Sequence, residues 1–386
     1  MLRTIIAHTS EIDDIELAIK EINSQIKPEL LGKNSIGIVY CHYEFLYSGA
    51  MKAICDSLPF DTIGTISLTQ ATNEMVGTFI FTVMVLTGDD TSFVTTLSAP
   101  LTETDCNPVE KAYVEAAIKD SSPALILPFI PFMSEVPTDE YVDLLTRVSG
   151  GVPCFGTVAL FDIDVFVDSN VFLNGECYTD RVAMLLIYSN IKPRFLLNTI
   201  SPEKILSKPA LVTKSEKNII KEINGRPVIK YFEELGLGNA GEKHYEMSAL
   251  PFMVDYGDNT PLVSKIFIAQ TPEKYIVCAG IVPEGSKIYI GVFDRDDVLY
   301  TTGKSMDEAL SLDLENASCM LMYSCVARNM SLGADDMAEL NLVRNKIKEK
   351  LPFVMAYSGG EICPTQVSDS KAVNRFHNNT FIACIL

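Results

Sequence analysis

Near the end of this chain two charged side chains stand among glycines, hydroxyls and amides in an order that could hold a small polar molecule. The segment 351–364 reads LPFVMAYSGGEICP and places Ser358, Gly359, Gly360 and Glu361 at a bend between two apolar runs. Glycine tolerates φ > 0 and lets a ligand reach main-chain N–H groups with no Cβ in the way. Glu361 could then hold an ammonium or a hydroxyl group. Arg328, in SCVAR, carries the planar fork that suits a carboxylate bidentately, and Asn378 and Asn379 could hydrogen-bond the same molecule or simply form a turn. Together these residues would clamp the carboxylate and the amine of an amino-acid-like ligand. An alternative starts from Cys325 at the end of a predicted strand: with His377 and Asp369 nearby it would be the nucleophile of a cysteine-dependent hydrolase or transferase, given the right geometry.

Other motifs carry less. TTGKS at 301–305 resembles the end of a phosphate-binding loop, but Val298 stands where the first glycine should be. DRDDVLY lacks the glycine and distal glutamate of a calcium loop and reads as a turn. None of the four histidines is paired at i and i+4, and no Cys-x-x-Cys occurs, so no metal is expected. The ten cysteines mostly sit in apolar runs, where a thiol packs as a small hydrophobe. No cofactor is expected either.

The elements that must position these residues read as α/β. EIDDIELAIKEINSQI repeats isoleucine at three- and four-residue steps, the signature of an amphipathic helix, with Ser10 as its N-cap. LPFDTIGTISL is echoed by GVPCFGTVAL 92 residues later, and each echo follows an apolar strand and a helix. A third stretch, from ASCMLMYSCVAR through DDMAELNLVRNKIKEK to NTFIACIL, runs the same way, which puts Gly64-Thr65, Gly156-Thr157 and Gly359-Gly360 at matching strand-to-loop corners. Thr157 therefore joins the candidate ligand-binding residues. Between the second and third copies, the proline-bearing stretch 191–215 marks a boundary, so two domains are expected at 1–198 and 199–386. Asn224-Gly225 signals a hairpin, Gly236 caps a short helix, and 251–293 alternates strands with turns as an antiparallel meander. The expected architecture is two domains of mixed sheets covered by helices, built from repeated β-α-β-β units, with the meander inserted in the second.

The bulk composition narrows the partners. Thirty-one basic against fifty acidic residues give a formal charge of −19, which repels nucleic acid and anionic lipid. The apolar runs are strand-length rather than membrane-length, and the first residues form no export signal, so a cytoplasmic location is expected.

Several phrases in order, INGRPVIKYFEELG, VPEGSKIYIG, YSCVAR, LPFVMAYSGGEI and FHNNTF, resemble landmarks of the FIST family, a sensory module with a FIST N-terminal and a FIST C-terminal domain. They span about 200 to 386. At the first corner the chain reads IGTISLTQATNEMVG, where a family member would carry a Gly-Cys-Ser-Thr-like phrase and a Gly-Glu pair. The resemblance implies an intracellular sensor that binds a small molecule, an amino acid or related metabolite, and signals through a separate partner protein, having no output segment of its own. A homodimer is compatible with it. The competing readings are an enzyme using Cys325 or Glu361, and a scaffold with no ligand.

Overall fold

The computed structural model describes residues 2–101, 105–132, 136–160, 168–205, 208–236, 250–368 and 371–386. Three six-stranded mixed sheets and one antiparallel eight-stranded sheet organise it. Each mixed sheet takes four strands from one stretch of chain in one spatial order. In the first sheet, Arg3–Thr9 pairs antiparallel with Phe81–Gly88, which pairs antiparallel with Asn34–Cys41, which lies parallel to Thr62–Ile66. The second sheet repeats that order with Ser92–Leu97, Ala183–Tyr188, Leu125–Ile130 and Gly156–Val158. The third uses Arg194–Asn198, Phe381–Ile385, Met320–Cys325 and Phe353–Ser358.

The period-2 alternation of a strand decides which residues face where. Ile36, Ile38 and Tyr40 enter one large core with Leu125, Leu127, Phe129, Leu321 and Tyr323. Their neighbours Val39 and Cys41 instead pack with Ala18, Ile22 and Ile54 of helices Ile15–Gln25 and Ala50–Ser57. The second and third sheets likewise carry Thr138–Val148 and Ala338–Ile347 on their other faces. The inner faces of all three sheets thus meet in one shared interior. There the Tyr40 and Tyr323 hydroxyls are 2.5 Å apart, and the Phe155 ring stacks on Tyr323 with centroids 5.3 Å apart.

The sixfold width of each sheet comes from an exchange. The hairpin Gln70–Thr72/Val76–Gly77 leaves the first stretch and pairs with Phe353–Ser358 of the third sheet. Val171–Leu173/Glu176–Tyr178 leaves the second and pairs with Thr62–Ile66 of the first. Glu361–Ser368/Lys371–His377 leaves the third and pairs with Gly156–Val158 of the second. Each parallel edge that would otherwise expose unpaired N–H and C=O groups is covered this way.

The eight-stranded sheet, Ala210 to Ile290, is inserted in the chain between the third-sheet strands Arg194–Asn198 and Met320–Cys325. It has its own core of Val212, Ile220, Phe232, Phe252, Phe267 and Ile288. The Asn224-Gly225 turn has φ of 52° and 74°, the left-handed pair that a two-residue hairpin requires, and Gly236 ends helix Val228–Glu234 at φ 77°.

Three local expectations change. The first helix is capped by Asp14, whose side chain accepts from the Leu17 N–H, rather than by Ser10. DRDDVLY is no turn: Asp294 and Asp297 form a reciprocal capping box at the start of the 17-residue helix Arg295–Ser311, which also absorbs TTGKS. Gly64 and Gly156 lie within strands rather than at corners. A Cβ on Gly64 would come 1.8 Å from the Val39 carbonyl oxygen, and one on Gly156 2.2 Å from that of Pro128, so glycine serves close approach between parallel strands there.

Candidate functional site

The ends of four strands converge around Glu361. The parallel strands Met320–Cys325 and Phe353–Ser358 finish side by side with Cys325 opposite Ser358. The chain then turns through Gly359-Gly360, and Glu361 opens the exchanged hairpin opposite both Thr157 and His377. The corner is held by short polar contacts. Thr157 Oγ1 donates to Ser358 Oγ at 2.8 Å, Ser358 Oγ to the Gly360 carbonyl at 2.6 Å, and the Gly360 N–H back to Ser358 Oγ at 3.0 Å. The Gly359 N–H donates to Val158 O, and Gly360 O accepts from Val158 N, both at 2.9 Å. Gly360 has φ 152°, and a Cβ there would sit 2.4 Å from the Phe376 ring, so the corner admits no other residue unstrained.

Glu361 is fully buried, and neither carboxylate oxygen has a hydrogen-bond partner of ordinary geometry. Burial raises its pKa well above the usual carboxylate range. The Arg328 guanidinium, the Ser358 hydroxyl, the Thr380 N–H and the Cys325 thiol lie near enough to ease its charge in part. Asn378 is buried with both amide atoms unpartnered, while its N–H donates to Ser264 O at 3.0 Å. The Ser264 hydroxyl is unpartnered too. Since buried polar groups normally find partners, this concentration of lone atoms distinguishes the corner from the rest of the core.

Arg328 is fully buried in helix Val326–Leu332. It does not pair with Glu361. Its Nη2 lies 2.8 Å from Glu339 Oε1, 2.7 Å from Thr302 Oγ1 and 3.1 Å from both Thr301 Oγ1 and Val298 O. Its Nε donates to Ser324 Oγ and Glu339 Oε1 at 3.1 Å. Glu339 Oε2 in turn accepts from Ser324 at 2.9 Å and Tyr357 at 3.0 Å. The ion pair, with both partners at 0% exposure, is therefore embedded in hydroxyls, as a desolvated pair requires. Only Arg328 Nη1 is left without a partner.

Cys325 is buried, and desolvation first, then the Glu361 carboxylate, raises its thiol pKa strongly; the Asn379 and Ala327 N–H groups and Arg328 oppose this. His377 belongs elsewhere. Its Nε2 is 3.3 Å from Cys363 O, its Nδ1 has no partner, and neither nitrogen bonds Cys325. Burial, with Lys265 and Arg375 nearby, pushes its pKa down to about 3. Asp369, the third residue of the proposed nucleophile set, lies outside the described residues. The structure thus brings Cys325, Ser358, Gly359, Gly360, Glu361, Thr157 and Asn378 to one corner, with Arg328 adjoining through its charge. Sequence reading missed Glu339, Thr301 and Thr302.

A second buried ion pair ties the inserted sheet to this region. Lys265 Nζ donates to Asp139 Oδ1 at 2.6 Å and to Phe376 O at 2.7 Å, while Asp139 Oδ2 accepts from the Ile281 N–H at 2.8 Å. Every oxygen of that carboxylate is engaged, which makes the pair a clamp rather than a site. None of the described surface hollows is lined by Glu361. The roomiest of those described, about 470 Å³, is lined by Leu31–Ser35, Pro59, Phe60, Ser92 and Phe93 and contains none of the lone buried atoms. Among the described residues no group of three or more His, Cys, Asp or Glu could hold a metal ion, and no helix is long and apolar enough to cross a membrane.

No curated protein matches the chain. Among solved structures, it is similar to the crystal structure of cyanuic acid hydrolase from A. caulinodans, covering 100% of this chain and 99% of that one at 9% identity and a TM-score of 0.33, which is too distant to carry an argument. Family models match most of the sequence: the FIST N domain over residues 35–226 and the FIST C domain over 230–364. FIST domains are sensory domains that bind small ligands, and with both halves of the module matched in order, the chain belongs to the FIST family.

Proposed function

We propose that this chain is a receptor for a small metabolite carrying an amine, an amino acid or a relative of one, and that it acts in the cytoplasm by changing its contacts with a separate signalling protein. The observation that supports the reading is the set of buried, unpartnered atoms at the exchanged corner: both Glu361 oxygens, both Asn378 amide atoms and Arg328 Nη1. A ligand that supplies donors to Glu361 and acceptors to Arg328 would recover the hydrogen bonds the protein itself leaves unmade. Gly359 and Gly360 let the chain turn tightly beneath the Phe376 ring and beside the Asn378 amide. The enzyme alternative is weakened by the raised Cys325 thiol, since the thiolate is the reactive species, and by the engagement of His377 with Cys363.

Native mass spectrometry of the protein as purified tests the reading directly, with thermal shifts across a library of amino acids, amines and organic acids as the second arm. A bound mass, or a shift of several degrees that Glu361→Gln removes, is expected. A bare protein mass together with no shift across the library would sink the receptor role.

A further inference from the structure

We infer that the ligand of the Glu361 corner is a monocation, a primary amine or amidine whose other polar group is an uncharged acceptor such as an amide or a hydroxyl, and not a zwitterionic amino acid. The inference rests on the receptor reading above and narrows its chemistry. A zwitterion needs an unspent positive charge for its carboxylate, and none is on offer among the described residues of the corner. Arg328, the nearest guanidinium, is already neutralised by Glu339 at 2.8 Å and surrounded by Thr301, Thr302 and Ser324. Lys265 is spent on Asp139 at 2.6 Å. What remains of Arg328 is one unpartnered Nη1, a donor inside a neutral pair, suited to a carbonyl or hydroxyl oxygen. A ligand carboxylate would instead enter a dry region already holding the Glu339 and Glu361 carboxyls, where unpaired charge is disfavoured.

The cationic end is matched. Glu361 is the carboxyl of the cluster whose oxygens make no hydrogen bond of ordinary geometry, the Ser358 hydroxyl, Thr380 N–H and Cys325 thiol only lying near it, and an ammonium or amidinium would complete it with a charge-assisted hydrogen bond. Asn378 offers an acceptor and a donor beside it, both unused. The groups facing Glu361 are the Cys325 thiol and the Arg328 guanidinium from the third sheet and its helix, the Ser358 hydroxyl, and the Thr380 N–H, with neutral His377 paired across the hairpin. Burial raises the pKa of Glu361 well above the usual carboxylate range, which favours its protonated form. A bound cation favours the ionised form, so its binding is coupled to release of a proton to solvent, which offsets the charge brought in.

Isothermal titration of the full chain with alaninamide, leucinamide and phenylalaninamide, each beside its parent amino acid and its deaminated amide, tests this. At least one amide is expected to bind tenfold or more tighter than its parent acid, its deaminated counterpart to be silent, and titrations in two buffers of different ionisation enthalpy to report net proton release on binding. Glu361→Gln should abolish amide binding while the variant remains folded by its unfolding transition. Equal or tighter Glu361-dependent binding of the parent amino acids overturns the inference and leaves the receptor reading intact. Failure of all three amides to bind at millimolar concentration overturns it as well, and the mass of the purified protein then decides separately whether any ligand is held.

Discussion

Glu361 is a carboxyl group kept in a dry corner with no hydrogen bond of ordinary geometry to either oxygen, and its protonation should show in the stability of the protein. Its folded pKa is raised above the unfolded value, by burial first. Below the unfolded carboxylate range both states carry the proton and nothing is lost. As pH rises above about 4.5 the unfolded chain sheds its proton while the folded one keeps it, so stability falls by up to about 1.4 kcal/mol per pH unit until Glu361 itself ionises. Glu361→Gln removes that loss. Denaturant midpoints of variant and parent should therefore converge near pH 4 and separate toward neutrality, the variant being the more stable; parallel profiles would defeat the assignment. The residue types of this corner were legible in the sequence because glycine, glutamate and arginine beside strand ends are chemically conspicuous. Their partners were not. Thr301, Thr302 and Glu339 reach Arg328 from helices 27, 26 and 11 positions away, and spacing along a chain says nothing about such contacts. One clue was present: Glu339 lies four residues before Val343 and beside Leu340, which puts a charge on the buried face of its helix.

At the scale of elements, the parallel pairing of Asn34–Cys41 with Thr62–Ile66 leaves no room for a side chain at position 64, since a Cβ would strike the Val39 carbonyl oxygen at 1.8 Å and its carbon at 2.7 Å. Both obstacles are backbone, which cannot rotate aside. Gly64→Ala should destabilise the protein by about 3 kcal/mol or more, read as a lowered urea midpoint with little change in slope; a loss below about 0.5 kcal/mol would contradict the close approach. The same glycine shows why the corner was misplaced in sequence: a glycine flanked by β-branched residues signals a bend or a close contact equally well, and only the neighbouring strand distinguishes them. Helix Arg295–Ser311 escaped for a related reason. Its aspartate-rich start and its Gly303 imitate turn and loop chemistry, while Thr301, Thr302 and Ser305 interrupt the apolar residues Val298, Met306 and Ala309 on its buried face. By contrast the Asn224-Gly225 hairpin, the antiparallel strands of 251–293 and helix Thr138–Val148 follow from local periodicity and turn residues; the strand order is not the expected meander, because Ala210–Glu216 and Ile219–Ile223 lie between Lys287–Ile290 and Ile276–Cys278.

Across the whole molecule, no mixed sheet is complete without a hairpin from another stretch, and two of the three exchanged hairpins cross residue 198. Residues 1–193 and 194–386 expressed separately should each lack a single cooperative unfolding transition, and mixing or co-expression should restore one. A first half that unfolds alone with the midpoint of the full chain would show the exchange to be dispensable. The circular handover also sets a timetable during synthesis. Asn73, beside the strand Gln70–Thr72, hydrogen-bonds to Phe353, 280 positions later, so at roughly 5–20 residues per second its docking edge does not exist until on the order of a quarter of a minute to a minute after it leaves the ribosome. During that wait the N-terminal third carries a hairpin with nowhere to go, and the chain depends on being kept from premature partners until its last quarter has been made.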